Sequence, residues 1–159
     1  MRSLHQRLAL GAVAGFAGTF LMQAMMKTTG RLMPDAAAPL SGDAGEYMVG
    51  KTETLMPEQA VAALPAPLEQ AAAKSLHLGY GMTSGFLYAA LRPRPRNVVL
   101  EGAALGLSVW AAGYLGWLPA AQLMPPLREQ TAKQIAVPLA EHLLFGVAVA
   151  AMYEGLTRL

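Results

Sequence analysis

The sequence predicts an all-α integral membrane protein, with four transmembrane helices in two parallel two-helix repeats and a small helical cap outside the bilayer. Three observations lead there. Hydrophobic residues make up 54% of the 159 positions against 14% charged, a balance that soluble domains rarely show. The charged residues also cluster, leaving four apolar windows, Leu8 to Met26, Ser75 to Leu91, Val98 to Leu118 and Ile135 to Leu156. Each is about as long as a helix must be to cross a hydrocarbon core of about 30 Å at 1.5 Å per residue. The third observation is a spacing pattern that recurs between the halves of the chain.

The four windows predict helices over about 8–29, 67–91, 97–118 and 126–157, which make one membrane domain of the whole chain. The first is preceded by Arg2 and Arg7 and has an early Ala-x-Ala at Ala12 to Ala14, as a cleaved leader would. Its apolar run continues well past that point and reads as a span instead. Residues 30–66 form the cap: Pro34, Pro39, Pro57 and Pro65 punctuate it, and short helices are expected around 43–50 and 57–64. A second outer loop runs from Pro119 to Lys133, beyond which Pro138 is expected to kink or restart the last helix. Arg2 and Arg7, then Arg92, Arg94 and Arg96 in a very short loop, then Arg158, all fall on one side of this topology. Short basic segments mark the cytoplasmic face, so both termini are expected inside.

Some functions are excluded by composition. With no cysteine there are no disulfides, thiolate metal sites or cysteine nucleophiles. The surplus of two positive charges is spread without a basic stripe or interleaved aromatics, so nucleic acid is not an expected partner. No phosphate loop, nucleophile elbow, zinc-protease or dinucleotide motif is present. No catalytic residue is assigned, and the reading favours a non-enzyme.

The recurring pattern is "HLGYGMTSGFLY" at 77–88 against "HLLFGVAVAAMY" at 142–153. His77, Gly81, Gly85 and Tyr88 stand at i, i+4, i+8 and i+11, as do His142, Gly146, Ala150 and Tyr153. On a helix these positions fall within about 80° of one another. Gly11 and Gly15 match Gly102 and Gly106 at an offset of 91, and "LMP" at 32–34 matches "LMP" at 123–125 at the same offset. Repeats with an even number of helices run parallel, so equivalent residues share a depth. Fifteen residues separate His77 from Arg92 and sixteen separate His142 from Arg158, roughly 22–24 Å of helix in each case. Both histidines are therefore expected near the outer boundary.

Two classes of role follow for these residues. Gly11, Gly15, Gly85, Gly102 and Gly106 form the small-xxx-small pattern that lets transmembrane helices approach closely. The alternative use is cofactor binding: a b-type haem between the imidazoles of His77 and His142, with Gly81 and Gly146 giving room for the ring. Lys74, Arg128 and Lys133 would then meet the propionates, and Tyr80, Phe145, Trp110 and Tyr114 would line the plane. A metal held by both histidines with Glu141 is a weaker variant. Glu141 is also the proton or ion candidate, because ionisable residues inside a membrane are costly and point to function. Glu101 and Glu154 lie close to Arg96 and Arg158, which predicts interfacial pairs instead.

The motifs "GAVAGFAGT" in the first helix, "HLGYGMTSGFLY" in the second and "EHLLFG" in the fourth resemble those of the YagU-like bacterial inner-membrane proteins and related four-helix families. That resemblance implies a multi-pass inner-membrane location and a non-catalytic accessory or stress-related role, with acid tolerance suggested for some relatives. By position it covers His77, Gly81, Gly85, Tyr88, Glu141, His142 and Gly146. The His-Glu pair expected in the third helix is replaced here by "VWAAGYLG". The expected partners are the lipid bilayer and another membrane protein or a second copy. Haem-mediated electron transfer is the first alternative, and proton or ion translocation by a dimer is the next.

Overall fold

A computed structural model describes residues 3–41, 44–57, 65–92 and 97–159. Its secondary structure is helical, with no strand among the described residues. Helix α1 is Leu4–Leu32, α2 is Ala44–Glu53 and α3 is Ala66–Leu91. Helix α4 runs from Val98 to Ala120, changing to a π turn over Ala112–Trp117, and α5 is Ala132–Arg158. Short 3₁₀ turns at Pro34–Ala36 and Leu127–Glu129 complete the end at which α1 finishes and α5 begins, here termed the cap end.

The helix starts follow local chemistry. Ser3 and Thr131 each accept a hydrogen bond from the amide three residues on, and Gln6 and Gln134 reach back to the capping amides. These two capping boxes satisfy amides that a helix start otherwise leaves open. Asn97 accepts from the Leu100 amide and so caps α4. Pro65 precedes α3, and Pro67 falls in its first turn, where a missing N–H costs nothing. Pro138 lies inside α5, and the helix continues through it to Arg158.

Three helices are long and apolar enough to cross a membrane: Leu4–Leu32, Val98–Ala120 and Ala132–Arg158. Helix α3 is of similar length at 26 residues, but Lys74, His77, Thr83, Ser84 and three glycines dilute its apolar character. Large apolar side chains lie outward on all four long helices, including Phe20, Leu87, Leu100, Leu115 and Leu144, each at least half exposed. An outer surface of this kind suits lipid.

Packing places the long helices in the order α3, α1, α5, α4, with α1 against both α3 and α5 while α3 and α4 barely touch. Helix α2 lies on α3. One core joins Ala14 and Met22 of α1 with Tyr88 and Ala89 of α3 and Phe145, Val149 and Tyr153 of α5. A second, at the cap end, gathers Trp110, Tyr114, Leu118, Leu123 and Met124, with Tyr47 of α2 packed against it. Ser41 donates from its amide to Leu123 O at 2.9 Å, and Lys133 Nζ lies 2.7 Å from Asp35 Oδ2. These ties bind the two cap-end segments together.

Where helices were expected over about 8–29, 67–91, 97–118 and 126–157, the long helices run Leu4–Leu32, Ala66–Leu91, Val98–Ala120 and Ala132–Arg158, the last starting at Ala132 because Thr131 supplies the cap. The expected cap helix at 43–50 corresponds to α2. The one expected at 57–64 lies, apart from Pro57, outside the described residues, as do Arg94 and Arg96.

Candidate functional site

The glycines occupy two helix crossings built alike. Where α1 meets α3, Gly11 stands against Gly85 and Gly15 against Gly81, so the helices run antiparallel. A Cβ added at Gly85 would strike the Gly11 carbonyl, and one at Gly15 the Gly81 carbonyl, both closer than 3.0 Å. Where α4 meets α5, a Cβ at Gly102 would lie 2.6 Å from Val147 Cα and 2.7 Å from Gly146 O, and one at Gly106 would strike the His142 carbonyl. In each crossing backbone touches backbone, which only glycine permits.

Gly81 and Gly146, the two positions expected to make room for a cofactor ring, are filled from the neighbouring helix. Gly81 opposes Thr19, whose hydroxyl donates back to Gly15 O at 2.9 Å, and Gly146 opposes the Gly102 carbonyl and Gly106 backbone. A third contact sets Gly18 of α1 against Val149 and Phe145 of α5. Helix α1 therefore carries small residues on two faces, one for each neighbour.

His77 and His142 occupy different surroundings. The exposed His77 lines a cleft with Gln23 and Met26 of α1, Glu46 of α2 and Gln70, Ala73 and Lys74 of α3. His142 is half-buried on the side of α5 that meets α4: its Nδ1 lies 2.7 Å from Pro138 O, and its ring stands edge-on to Tyr114 at 5.7 Å and 82°. Helix α3 packs mainly on α1 and little on α5, and the residues found around one imidazole are not those found around the other. The tyrosines eleven residues on do meet: the Tyr88 and Tyr153 rings pack edge to face at 5.8 Å and 87°. The residues present thus do not fit a haem held between His77 and His142. Lys74 lies at the His77 cleft, whereas Lys133 is paired with Asp35 and Arg128 with Glu129. Among the described residues no group of three or more His, Asp or Glu is placed to hold a metal.

Among the described residues Glu141 is the buried carboxyl group of the α4–α5 half. It is 8% exposed, and its Oε1 is buried with no hydrogen-bond partner among the described residues. Trp110 Nε1, also buried, is equally unpartnered. Trp110 stacks on Tyr114 at 5.5 Å and 20°, so indole, phenol and imidazole form a continuous aromatic row beside α5. Tyr114 of this row lies within the π turn, in which Gly116, at φ −107° and ψ −108°, departs from helical values. Sequence reading singled out Trp110, Tyr114, Glu141 and His142 separately. It missed the π turn, for which the pair Gly113 and Gly116 was the available signal, and it missed the pairing of His142 with Pro138. An i, i+4 relation to a proline inside a helix carried that second signal.

At the opposite end the acids are paired. Arg92 Nε lies 3.7 Å from Glu101 Oε2, and Arg158 Nη2 lies 2.5 Å from Glu154 Oε1. Glu154 makes the pair expected with Arg158, whereas Glu101 reaches Arg92 at the end of α3, its expected partner Arg96 lying outside the described residues.

Compared with protein-family models, characterised proteins and solved structures, the chain matches none.

Proposed function

We propose that this chain is a four-span protein of the bacterial inner membrane, working as a non-catalytic accessory or stress-related component. The observation that carries this reading is the pair of glycine crossings, which close the helices on one another and leave apolar side chains turned outward. Between helices in lipid there is little hydrophobic drive, so close backbone contact is a principal source of cohesion. The same contacts support a fourth span. Since α3 lies antiparallel along α1 from Gly81 to Gly85, it shares the depth of a helix apolar enough to cross. Thr19 and Ser84, which bond back to Gly15 and Tyr80, spend their hydroxyls inside their own helices.

On this reading the two helix pairs are copies in a parallel repeat, both termini are cytoplasmic, and kinship with the YagU-like proteins rests on the shared helix motifs. A cysteine at Asp43 should react with an impermeant reagent from outside, and one at Pro95 should not. Mild-detergent pull-down should recover a membrane partner or a second copy; recovery of the isolated chain alone, at native expression, counts against the accessory role. The purified protein should be colourless, and a Soret band lost in His77→Ala and His142→Ala would overturn that expectation.

A specific observation favours a second reading, proton or ion translocation through Glu141. A carboxyl group enclosed at bilayer depth with an unpartnered oxygen is costly unless its charge or proton is used. Proton flux into liposomes containing the wild-type protein, abolished in Glu141→Gln, is the expected result. Equal flux in the two proteins would sink it.

A further inference from the structure

The cleft at His77 lies at a different place from Glu141 and is built differently. It has a volume of about 370 Å³, within the range of about 300–1,000 Å³ that small-molecule sites occupy. Three helices wall it: α1 contributes Gln23 and Met26, α2 contributes Glu46, and α3 contributes Gln70, Lys74 and His77. Met26 ends the first apolar window of the sequence. On the membrane-spanning reading the cleft straddles the level at which hydrocarbon gives way to headgroups, and Met26 and Ala73 line it together with charged and amide side chains. Glu46 is held over it by α2, whose neighbouring Tyr47 packs into the cap-end core and whose helix lies on α3. The lining thus combines a carboxylate on α2 and an ammonium on α3, two helices in contact, with the amides of Gln23 and Gln70.

We infer that this cleft binds the headgroup of a zwitterionic aminophospholipid, a phosphodiester linked to a primary ammonium, at the outer boundary of the membrane. Lys74, with His77 one turn deeper, meets the phosphate, and a lysine ammonium serves as a point charge for such a group. Glu46 accepts from the primary ammonium, which has three N–H donors that a quaternary ammonium lacks. Gln23 and Gln70 supply both donors and acceptors for the linking oxygens. The lipid's chains continue past Met26 along the outward apolar faces of α1 and α3. This inference rests on the membrane-spanning reading.

The test uses the full-length protein in detergent, loaded separately with phosphatidylethanolamine, phosphatidylcholine or phosphatidylglycerol, with retained lipid read by native mass spectrometry. Phosphatidylethanolamine should occupy the protein at least five-fold more than either other lipid. Lys74→Gln and Glu46→Gln should each reduce that occupancy at least five-fold, and Lys74→Arg should keep it. Equal retention of the three lipids by the wild type, or wild-type retention in both Gln variants, would overturn the inference. Full displacement of the lipid by soluble O-phosphoethanolamine at equal concentration would overturn it too, by showing a site for a free solute. Carbonate extraction of native membranes is read alongside: release of the protein refutes the spanning reading itself, whereas a retained protein with unselective lipid binding refutes only the headgroup site.

Discussion

The α1–α3 and α4–α5 pairs use the same joint and end in different surroundings. In both, two glycines four residues apart receive the backbone of an antiparallel partner, and a histidine sits one turn toward the cap end of the partner's crossing glycine. Beside α3, however, the cap supplies α2, whose Glu46 leaves His77 in an open polar cleft. Beside α5, the chain of α4 widens into a π turn and carries Tyr114 onto His142, closing that side. Equal spacing along a helix therefore fixes equal packing at the joint. What lies above the joint depends on the segments that return over it, and those segments differ in length and composition.

The widest break in the comparison is expected at the joints themselves. Gly15→Val and Gly106→Val each force a side chain into a facing carbonyl, and backbone cannot yield as a flexible side chain can. Each should cost about 3 kcal/mol or more, read as loss of the monodisperse folded protein in detergent. If the joints are equivalent the two losses match, and a tolerated substitution at one of them would show the pairs to be held differently.

The histidines should then separate the pairs. His142→Ala removes the contact with Pro138 O and the edge-on packing against Tyr114, an expected loss of about 1–2 kcal/mol. His77→Ala, on an exposed side chain, should change stability by less than about 0.5 kcal/mol. Equal effects in thermal unfolding would mean that the difference in their surroundings has no energetic counterpart.

Glycines away from the joints give an effect of opposite sign. Gly79 of α3 and Gly155 of α5 have open space where a Cβ would stand, so Gly79→Ala and Gly155→Ala should stabilise by about 0.5–1 kcal/mol each, through the helix propensity gained. A loss at either position would indicate a contact made there by another chain.

The smallest effect concerns the tie between the two cap-end segments. The Lys133 ammonium, through its hydrogen bond and its charge, holds the Asp35 carboxyl below its ordinary value. A depressed carboxylate contributes stability above its unfolded pKa, and that contribution is lost as pH falls through the folded value. Asp35→Asn should accordingly lower the unfolding temperature slightly at pH 7, and the difference from wild type should shrink as the pH is lowered through the range in which the folded carboxyl titrates. The pair is exposed, so added salt should shrink the difference as well.

Sequence alone determined the helical class, the apolar windows and the glycine joints, because hydrophobic periodicity and small-residue spacing are local properties of a helix. It also located the Glu154–Arg158 pair, since the two are one turn apart and their pairing needs no other element. Tertiary structure decided the rest. The equal frames of His77 and His142 say nothing of what packs around them, and the fold gives the two histidines different neighbours while Tyr88 meets Tyr153. The burial of Glu141 likewise depends on how its neighbours close around α5, and the His77 cleft on where α2 comes to rest. A helix's own residues set which face it presents; only the fold decides what that face meets.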